Sequence, residues 1–146
     1  MKYEVLIRPT TFADEKEVLG LIEELENRVF DSEIFTAIFK SYLEDPLTFM
    51  FVAVEEENRV CGFISCKGQP LIHHEGLVFE IQELIVTATH QGRGIGKKLI
   101  DVLKPELKRL GAKSLEVTSN KRRKEAHAFY QSVGFLNSHE KFTIYF

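Results

Sequence analysis

Leu84-Ile85-Val86-Thr87-Ala88-Thr89-His90-Gln91-Gly92-Arg93-Gly94-Ile95-Gly96-Lys97-Lys98-Leu99 reads as an apolar strand end, a glycine-rich turn and the start of a helix. The helix is predicted over Lys97 to Leu110 by the spacing of Leu99, Leu103, Leu107 and Leu110, with Gly111 just past its end. Pro105 falls inside it and, at a cost of roughly 3 kcal/mol, predicts a kink or an early end. Glycines from Gln91 to Gly96 let the backbone approach a ligand, and the unpaired N–H groups of a helix start point at it. That geometry binds phosphate. Its spacing excludes the two commonest nucleotide signatures. A dinucleotide fingerprint starting at Gly92 needs glycine where Lys97 stands, and a phosphate loop of the Walker type needs Ser or Thr where Lys98 stands.

Upstream of the turn, Leu77 to Val86 is predicted as a long strand in which Phe79 and Ile81 alternate with Glu80 and Gln82. The alternation gives way after Glu83 to Leu84-Ile85-Val86, the mark of a bulge. Earlier still, Val5-Leu6-Ile7 is a strand ended at Arg8-Pro9. An amphipathic helix follows, capped at Thr11 or Asp14, with a stripe of Val18, Leu19, Ile22, Leu25, Val29 and Phe30. Asp31 caps a second helix, with Ile34, Phe35, Ile38, Phe39, Tyr42 and Leu43 on its stripe, closed by Asp45-Pro46. Phe49 to Val54 is apolar enough for a strand covered on both faces. Val60 to Cys66 returns as its neighbour, with Gly68-Gln69-Pro70 as the next loop. Downstream of the turn, Ser114 to Thr118 is a strand, Ala126, Phe129, Tyr130 and Val133 mark a helix stopped by Gly134, and Thr143 to Phe146 is a last strand. The order β-α-α-β-β-β-α-β-α-β describes a single mixed α/β domain over residues 1–146. The central hairpins are antiparallel, and the strand-helix-strand from Ile81 to Val117 makes one parallel pair.

Composition narrows the function classes. A net charge of −3 excludes a globally basic nucleic-acid binder. Charge is nevertheless segregated: Thr11 to Val60 holds 13 acidic and 4 basic residues, a net of −9, and Gln91 to Lys124 holds 11 basic and 3 acidic, a net of +8. Opposed fields of this kind can hold a polyanion in one half and a cation beside it. Cys61 and Cys66, with no CxxC pair, exclude a disulfide scaffold or zinc ribbon and read as buried thiols of a reducing compartment. No apolar run is long enough to span a membrane, and Met1-Lys2-Tyr3-Glu4 does not open a secretion signal, so the cytoplasm is expected. His73-His74 and His127 lack a third ligand at suitable spacing, so no metal site is expected. Lys121-Arg122-Arg123-Lys124 as a nucleic-acid patch would predict steeply salt-dependent binding. A coenzyme role is the preferred reading of that run.

Gln-x-x-Gly-x-Gly after an apolar strand end, then Ser119-Asn120 and Ala126-His127-Ala128-Phe129-Tyr130-Gln131-Ser132-Val133-Gly134-Phe135, resembles the GNAT superfamily of acetyl-CoA-dependent N-acetyltransferases. The order of elements matches that family across essentially the whole chain. The resemblance implies a twisted, mostly antiparallel sheet flanked by about four helices, with acetyl-CoA as co-substrate. It implies that the backbone from Gln91 through Gly92, Arg93, Gly94, Ile95 and Gly96 to Lys97 cradles the coenzyme pyrophosphate. It places the pantetheine arm along Leu84, Ile85 and Val86 and beside Asn120, the ribose phosphate near Arg123, and further coenzyme contacts at Phe129 and Tyr130. It also allows a homodimer, for which Phe135, Phe142 and Phe146 are either core or interface.

The chemistry then asks for specific groups. An alkylamine with a pKa of about 10.4 must lose a proton to a carboxylate before or during attack. Glu83 is the first candidate base, Glu80 the second and Glu116 the third. Tyr130 suits the acid that protonates the departing thiolate, and the Val86 N–H suits the donor to the developing oxyanion. Neither cysteine has an adjacent histidine, which favours direct attack by the amine over an acetyl-enzyme. Glu23, Glu24, Glu26, Asp31 and Glu33 point to a small cationic amine or a protein amine as acceptor, with nucleic acid and membrane excluded as partners. The alternative is a coenzyme-A-binding sensor or regulatory domain without turnover.

Overall fold

Phe49 to Val54 lies within β2 (Thr48–Glu55), the second strand of a five-stranded sheet, and Met50 to Val54 are buried. The computed structural model describes residues 4–146. Around β2 the elements run β1 (Leu6–Pro9), α1 (Glu15–Glu26), α2 (Ser32–Glu44), β3 (Arg59–Leu71), β4 (Gly76–Val86), α3 (Ile95–Arg109), β5 (Ser114–Val117) and α4 (Lys124–Ser132). The strands lie in chain order, antiparallel from β1 to β4 and parallel between β4 and β5. The expected mixed sheet with four helices therefore forms, down to the parallel pair that sets Ile81 opposite Val117.

Helices cover both faces. On one, Val18 and Leu21 of α1 and Phe39 of α2 pack against Met50, Val52, Val54, Phe63 and Ile85. On the other, Ile95, Leu99, Leu103 and Leu107 of α3 pack against Phe51, Ala53, Ile64, Cys66, Phe79 and Ile81. Cys61 and Cys66 are buried and unbridged, as their isolation in the sequence predicts. Each fully buried Leu, Ile or Phe on these faces contributes about 1.5–3 kcal/mol.

Four boundaries differ from expectation. α1 stops at Glu26 because Asn27 adopts the left-handed conformation (φ 52°) and both Asn27 and Arg28 return their N–H groups to the Glu23 carbonyl. Val29 and Phe30 therefore leave the helical stripe. α3 runs through Pro105 to Arg109: the ring removes one N–H, while the buried Leu103 and Leu107 on either side hold the helix to the sheet. β3 continues through Gly68-Gln69-Pro70 to Leu71, and the turn falls later, at Ile72–His74. Gly68 is there for space, since a Cβ would sit 2.4 Å from the Phe79 ring. Finally, Thr143–Phe146 has strand composition but pairs with no strand among the described residues. Ile144, Tyr145 and Phe146 are exposed, because propensity alone supplies no hydrogen-bonding neighbour. Phe142 is exposed with them, so neither Phe142 nor Phe146 belongs to the core. Phe135 is half-buried against Tyr130, with ring centroids 5.7 Å apart.

Candidate active site

Ser65 pairs with Glu83 and Cys66 with Ile81, so Gln82 is one residue more than the β3–β4 ladder can match. The bulge thus precedes Glu83, and Leu84-Ile85-Val86, where the sequence places it, keeps regular pairing with β3. In a flat strand Glu80 and Glu83 would face opposite sides; the extra residue puts both on the α1/α2 face with Ile85. It also sends Leu84 and Val86 to the α3 side. The alternation broken at Glu83 is this change of phase.

Beyond Ile81 the other edge of β4 has no strand, because β5 ends at Val117. Thr87 N–H bonds the Cys61 carbonyl of β3 at 2.9 Å, and neighbouring residues of an antiparallel ladder point their amides in alternate directions. The Val86 and Leu84 amides therefore point into the gap between β4 and β5. Val86 is freed for a ligand by the end of β5 and not, as expected, by a bulge at its own position.

Glu83 sits on the floor of a cavity of about 450 Å³ between α1, α2 and the sheet, walled by Ile22, Phe30, Ile34, Phe35, Phe39 and Tyr42 among others. Ser65 Oγ donates to the Glu83 carboxylate and accepts the Glu83 N–H at 3.0 Å. Burial raises the Glu83 pKa above its ordinary value, with the Ser65 hydrogen bond and the Lys67 charge opposing and Glu26 adding to the rise. Tyr42 is pushed up to about 12, first by burial and then by the Glu83 charge. Glu80 shares the face but not the cavity; its oxygens accept from Thr118 Oγ1 at 3.0 Å and Gln82 Nε2 at 3.1 Å. Glu116 lies opposite Glu80 on β5, exposed. Of the five acidic residues of the first two helices named above, only Asp31 lines the cavity.

The glycine-rich turn lies at the α3 N-terminus. Gly92 (φ 79°) and Gly94 (φ 78°) hold left-handed conformations that other residues resist, and Gly94 is the N-cap with no side chain over the helix end. The first intrahelical bond runs from Lys98 N–H to Gly94 O at 3.1 Å, leaving the amides of Ile95, Gly96 and Lys97 free. The turn is tied to the gap, since Gln91 Nε2 donates to the Val86 carbonyl at 3.2 Å. A second tie is His90, whose ring meets Glu55 at 2.6 Å and Thr87 Oγ1 at 2.8 Å. The Lys97 ammonium pairs with Asp101 at 2.7 Å and the Arg93 side chain is exposed, so backbone defines the cradle.

α4 closes the far side of that turn. Phe129 packs on Gly96, where a Cβ would approach its ring to 3.1 Å. Tyr130 lies between Phe129, tilted at 60°, and Phe135, edge-on at 76°, and burial, opposed by the Arg123 charge, raises its pKa. Its hydroxyl makes no hydrogen bond among the described residues, and it does not line the cavity that holds Glu83. Asn120 Oδ1 accepts from Arg122 N–H at 2.9 Å, and Arg123 is the α4 N-cap. His127 Nε2 donates to the Asn120 backbone oxygen at 2.8 Å, and His73 and His74 lie exposed in the β3–β4 turn, away from the cavity. No cluster of three metal-ligating side chains occurs among the described residues.

Ser65, Arg28 and the Glu55–His90 pair carry no site role in the sequence reading, and Tyr42 enters it only on a helical stripe. Their places depend on strand register and on the turn at Asn27, which residue spacing does not encode.

A model of the acetyltransferase (GNAT) family matches residues 15–135. An aminoalkylphosphonate N-acetyltransferase of Salmonella typhimurium is 34% identical over 137 residues, covering 94% of this chain and 88% of the relative. Among solved structures, an aminoglycoside N-acetyltransferase in complex with CoA aligns over 99% of this chain and 96% of its own, with a TM-score of 0.88 at 15% identity. Glucosamine-6-phosphate N-acetyltransferase of Arabidopsis thaliana aligns over 98% and 99%, with a TM-score of 0.83 at 20% identity. These two likenesses are of fold.

Proposed function

The chain belongs to the acetyltransferase (GNAT) family and is an N-acetyltransferase, and we propose that it moves the acetyl group of acetyl-CoA directly to the primary amine of a small acceptor. Residues 1–146 act as one domain in this reading, in the reducing cytoplasm that two free buried thiols suit. One observation carries it: a half-buried carboxylate with a raised pKa, Glu83, stands on the floor of a small cavity next to the open edge of β4. A cavity of about 450 Å³ suits a small molecule better than a protein side chain on its backbone.

The free amides of Ile95, Gly96 and Lys97, the left-handed Gly92 and Gly94, and the outward amides of Leu84 and Val86 fit a pyrophosphate followed by an extended amide-bearing arm. Asn120 and Arg123 stand at the start of α4, where they serve the arm and the ribose phosphate. With the arm in the gap, the thioester lies between Glu83 and α4. Glu83 takes the amine proton, directly or through one water, and its raised pKa brings it nearer the operating pH. The Val86 N–H receives the negative charge developing on the acetyl oxygen. Tyr130 returns a proton to the departing sulfur; its own raised pKa keeps the phenol protonated until then. Transfer through an acetyl-cysteine is disfavoured because burial pushes the Cys66 thiol up to about 12 and raises Cys61 as well.

Calorimetric titration with acetyl-CoA, NAD and ATP separately tests the cradle, and a thiol-release screen of amines tests turnover. Binding of acetyl-CoA alone with turnover of a small amine is expected. Binding without turnover of any amine would leave a coenzyme-A sensor, and failure of a folded sample to bind acetyl-CoA would remove both.

A further inference from the structure

We propose that the acceptor carries an oxyanion head, phosphonate or carboxylate, at the end of the molecule opposite its amine, and that Arg28 binds that head. The proposal rests on the acetyltransfer reading above and names its substrate class. The cavity holding Glu83 is lined mainly by aliphatic and aromatic side chains, with three charged residues: Arg28, Asp31 and Glu83. Two of these are already engaged. Glu83 is bonded to Ser65 at the sheet, and Asp31 caps α2, its Oδ1 accepting from Glu33 N–H at 2.9 Å and Ile34 N–H at 3.0 Å. Arg28 is not. Its guanidinium lies over the Phe30 ring at 4.0 Å and has neither a salt bridge nor a hydrogen bond among the described residues. The other basic side chains between Thr11 and Val60, Lys16, Lys40 and Arg59, do not line the cavity.

The backbone delivers Arg28 there on purpose of geometry alone. Asn27 ends α1 in the left-handed conformation, Arg28 N–H returns to Glu23 O at 3.2 Å, and the Glu23 carboxylate accepts Phe30 N–H at 2.8 Å. This turn fixes Arg28 and Phe30 at the cavity while Val29 faces solvent. An arginine laid flat on an aromatic ring keeps the edge of its planar fork free, and that edge matches two oxygens of a carboxylate or phosphonate. A protonated amine is drawn to Glu83 while an anionic head is drawn to Arg28. A dipolar aminoalkyl acid satisfies both. A polyamine leaves Arg28 facing a cation, which the acidic residues of α1 and α2 do not offset, because Glu23 is spent on the turn, Asp31 is spent on the α2 cap, and Glu24, Glu26 and Glu33 lie outside the cavity. The relative named for aminoalkylphosphonates points the same way.

The test uses the whole chain with 2-aminoethylphosphonate, β-alanine, propylamine and spermidine as acceptors, in wild type, Arg28→Ala and Arg28→Lys. Thiol release gives kcat and KM, and calorimetry gives acceptor binding independently of turnover. In wild type the two acids are expected to exceed propylamine and spermidine in kcat/KM; the better of the two identifies the head. Arg28→Ala is expected to raise KM for that acid on the order of 10- to 100-fold relative to propylamine, the scale of one charge-assisted contact, with Arg28→Lys recovering part of it. Preference for spermidine, or an equal loss for every amine in Arg28→Ala, overturns the assignment and leaves acetyltransfer standing. Binding of the acid that depends on Arg28 in a protein that acetylates nothing upholds the assignment and overturns acetyltransfer.

Discussion

Ser65 and Glu83 hold each other across the β3–β4 ladder, the serine hydroxyl donating to the carboxylate and accepting its residue's N–H at 3.0 Å. Each residue therefore positions the other, and the pair can be taken apart. Glu83→Gln is expected to lower kcat by about 10²–10⁴ while acetyl-CoA binding is retained. Ser65→Ala removes an interaction that lowers the Glu83 pKa, so the acidic limb of the rate profile should move to higher pH. A pH–rate profile that stays in place would detach Ser65 from the base.

The Tyr130 hydroxyl has no hydrogen-bond partner among the described residues, so Tyr130→Phe removes chemistry and little packing. We expect kcat to fall by about 10²-fold, with KM for acetyl-CoA little changed and the melting temperature close to wild type. An unchanged kcat would hand the leaving-group proton to water.

At Gly94, with φ 78°, any side chain works against the left-handed backbone. Gly94→Ala should cost about 1–2 kcal/mol at the helix start and weaken acetyl-CoA binding in calorimetry, without altering which amine is preferred. Equal binding by the variant would count against the cradle.

Asp14 is buried beneath Arg8, whose two terminal nitrogens reach its oxygens at 2.9 and 2.8 Å. The Arg8 hydrogen bonds, outweighing burial, hold the Asp14 pKa below its ordinary value. The stability this contributes is present above the unfolded carboxylate value of about 3.9 and is lost as pH falls through the lower folded value. Urea unfolding from pH 7 down to 2 should show that loss, and Arg8→Met, which leaves a buried carboxylate alone, should cost about 3 kcal/mol at pH 7.

The glycine-rich turn, the leucine ladder of α3 and the Asp31 cap were legible because each depends on residues close in sequence. The carboxylate Glu83 is legible as a break in alternation, although the break shows in the sequence one step after the residue that causes it, Gln82. Nothing local distinguishes Ser65 from any other serine in an apolar strand; only the pairing of β3 with β4 selects it. Arg28 was hidden for the opposite reason. The stripe ending in Val29 and Phe30 favoured a longer helix, and a single left-handed Asn27 overrode it. At the C-terminus, Thr143 to Phe146 shows the converse error, a segment with every preference for a strand and no neighbour to make it one.

Gln82 is a surplus letter whose identity matters less than its presence. Its side chain is exposed, so most substitutions there should be silent. Deleting it would still leave Glu83 opposite Ser65 and Ile81 opposite Cys66, now in an uninterrupted ladder. What the shorter chain would lose is the added local twist that a bulge brings, at the point where the pairing of β4 with β5 stops. Smoothing that irregularity, as a procedure seeking ideal strands would do, should yield a protein that folds at least as well and no longer admits its coenzyme.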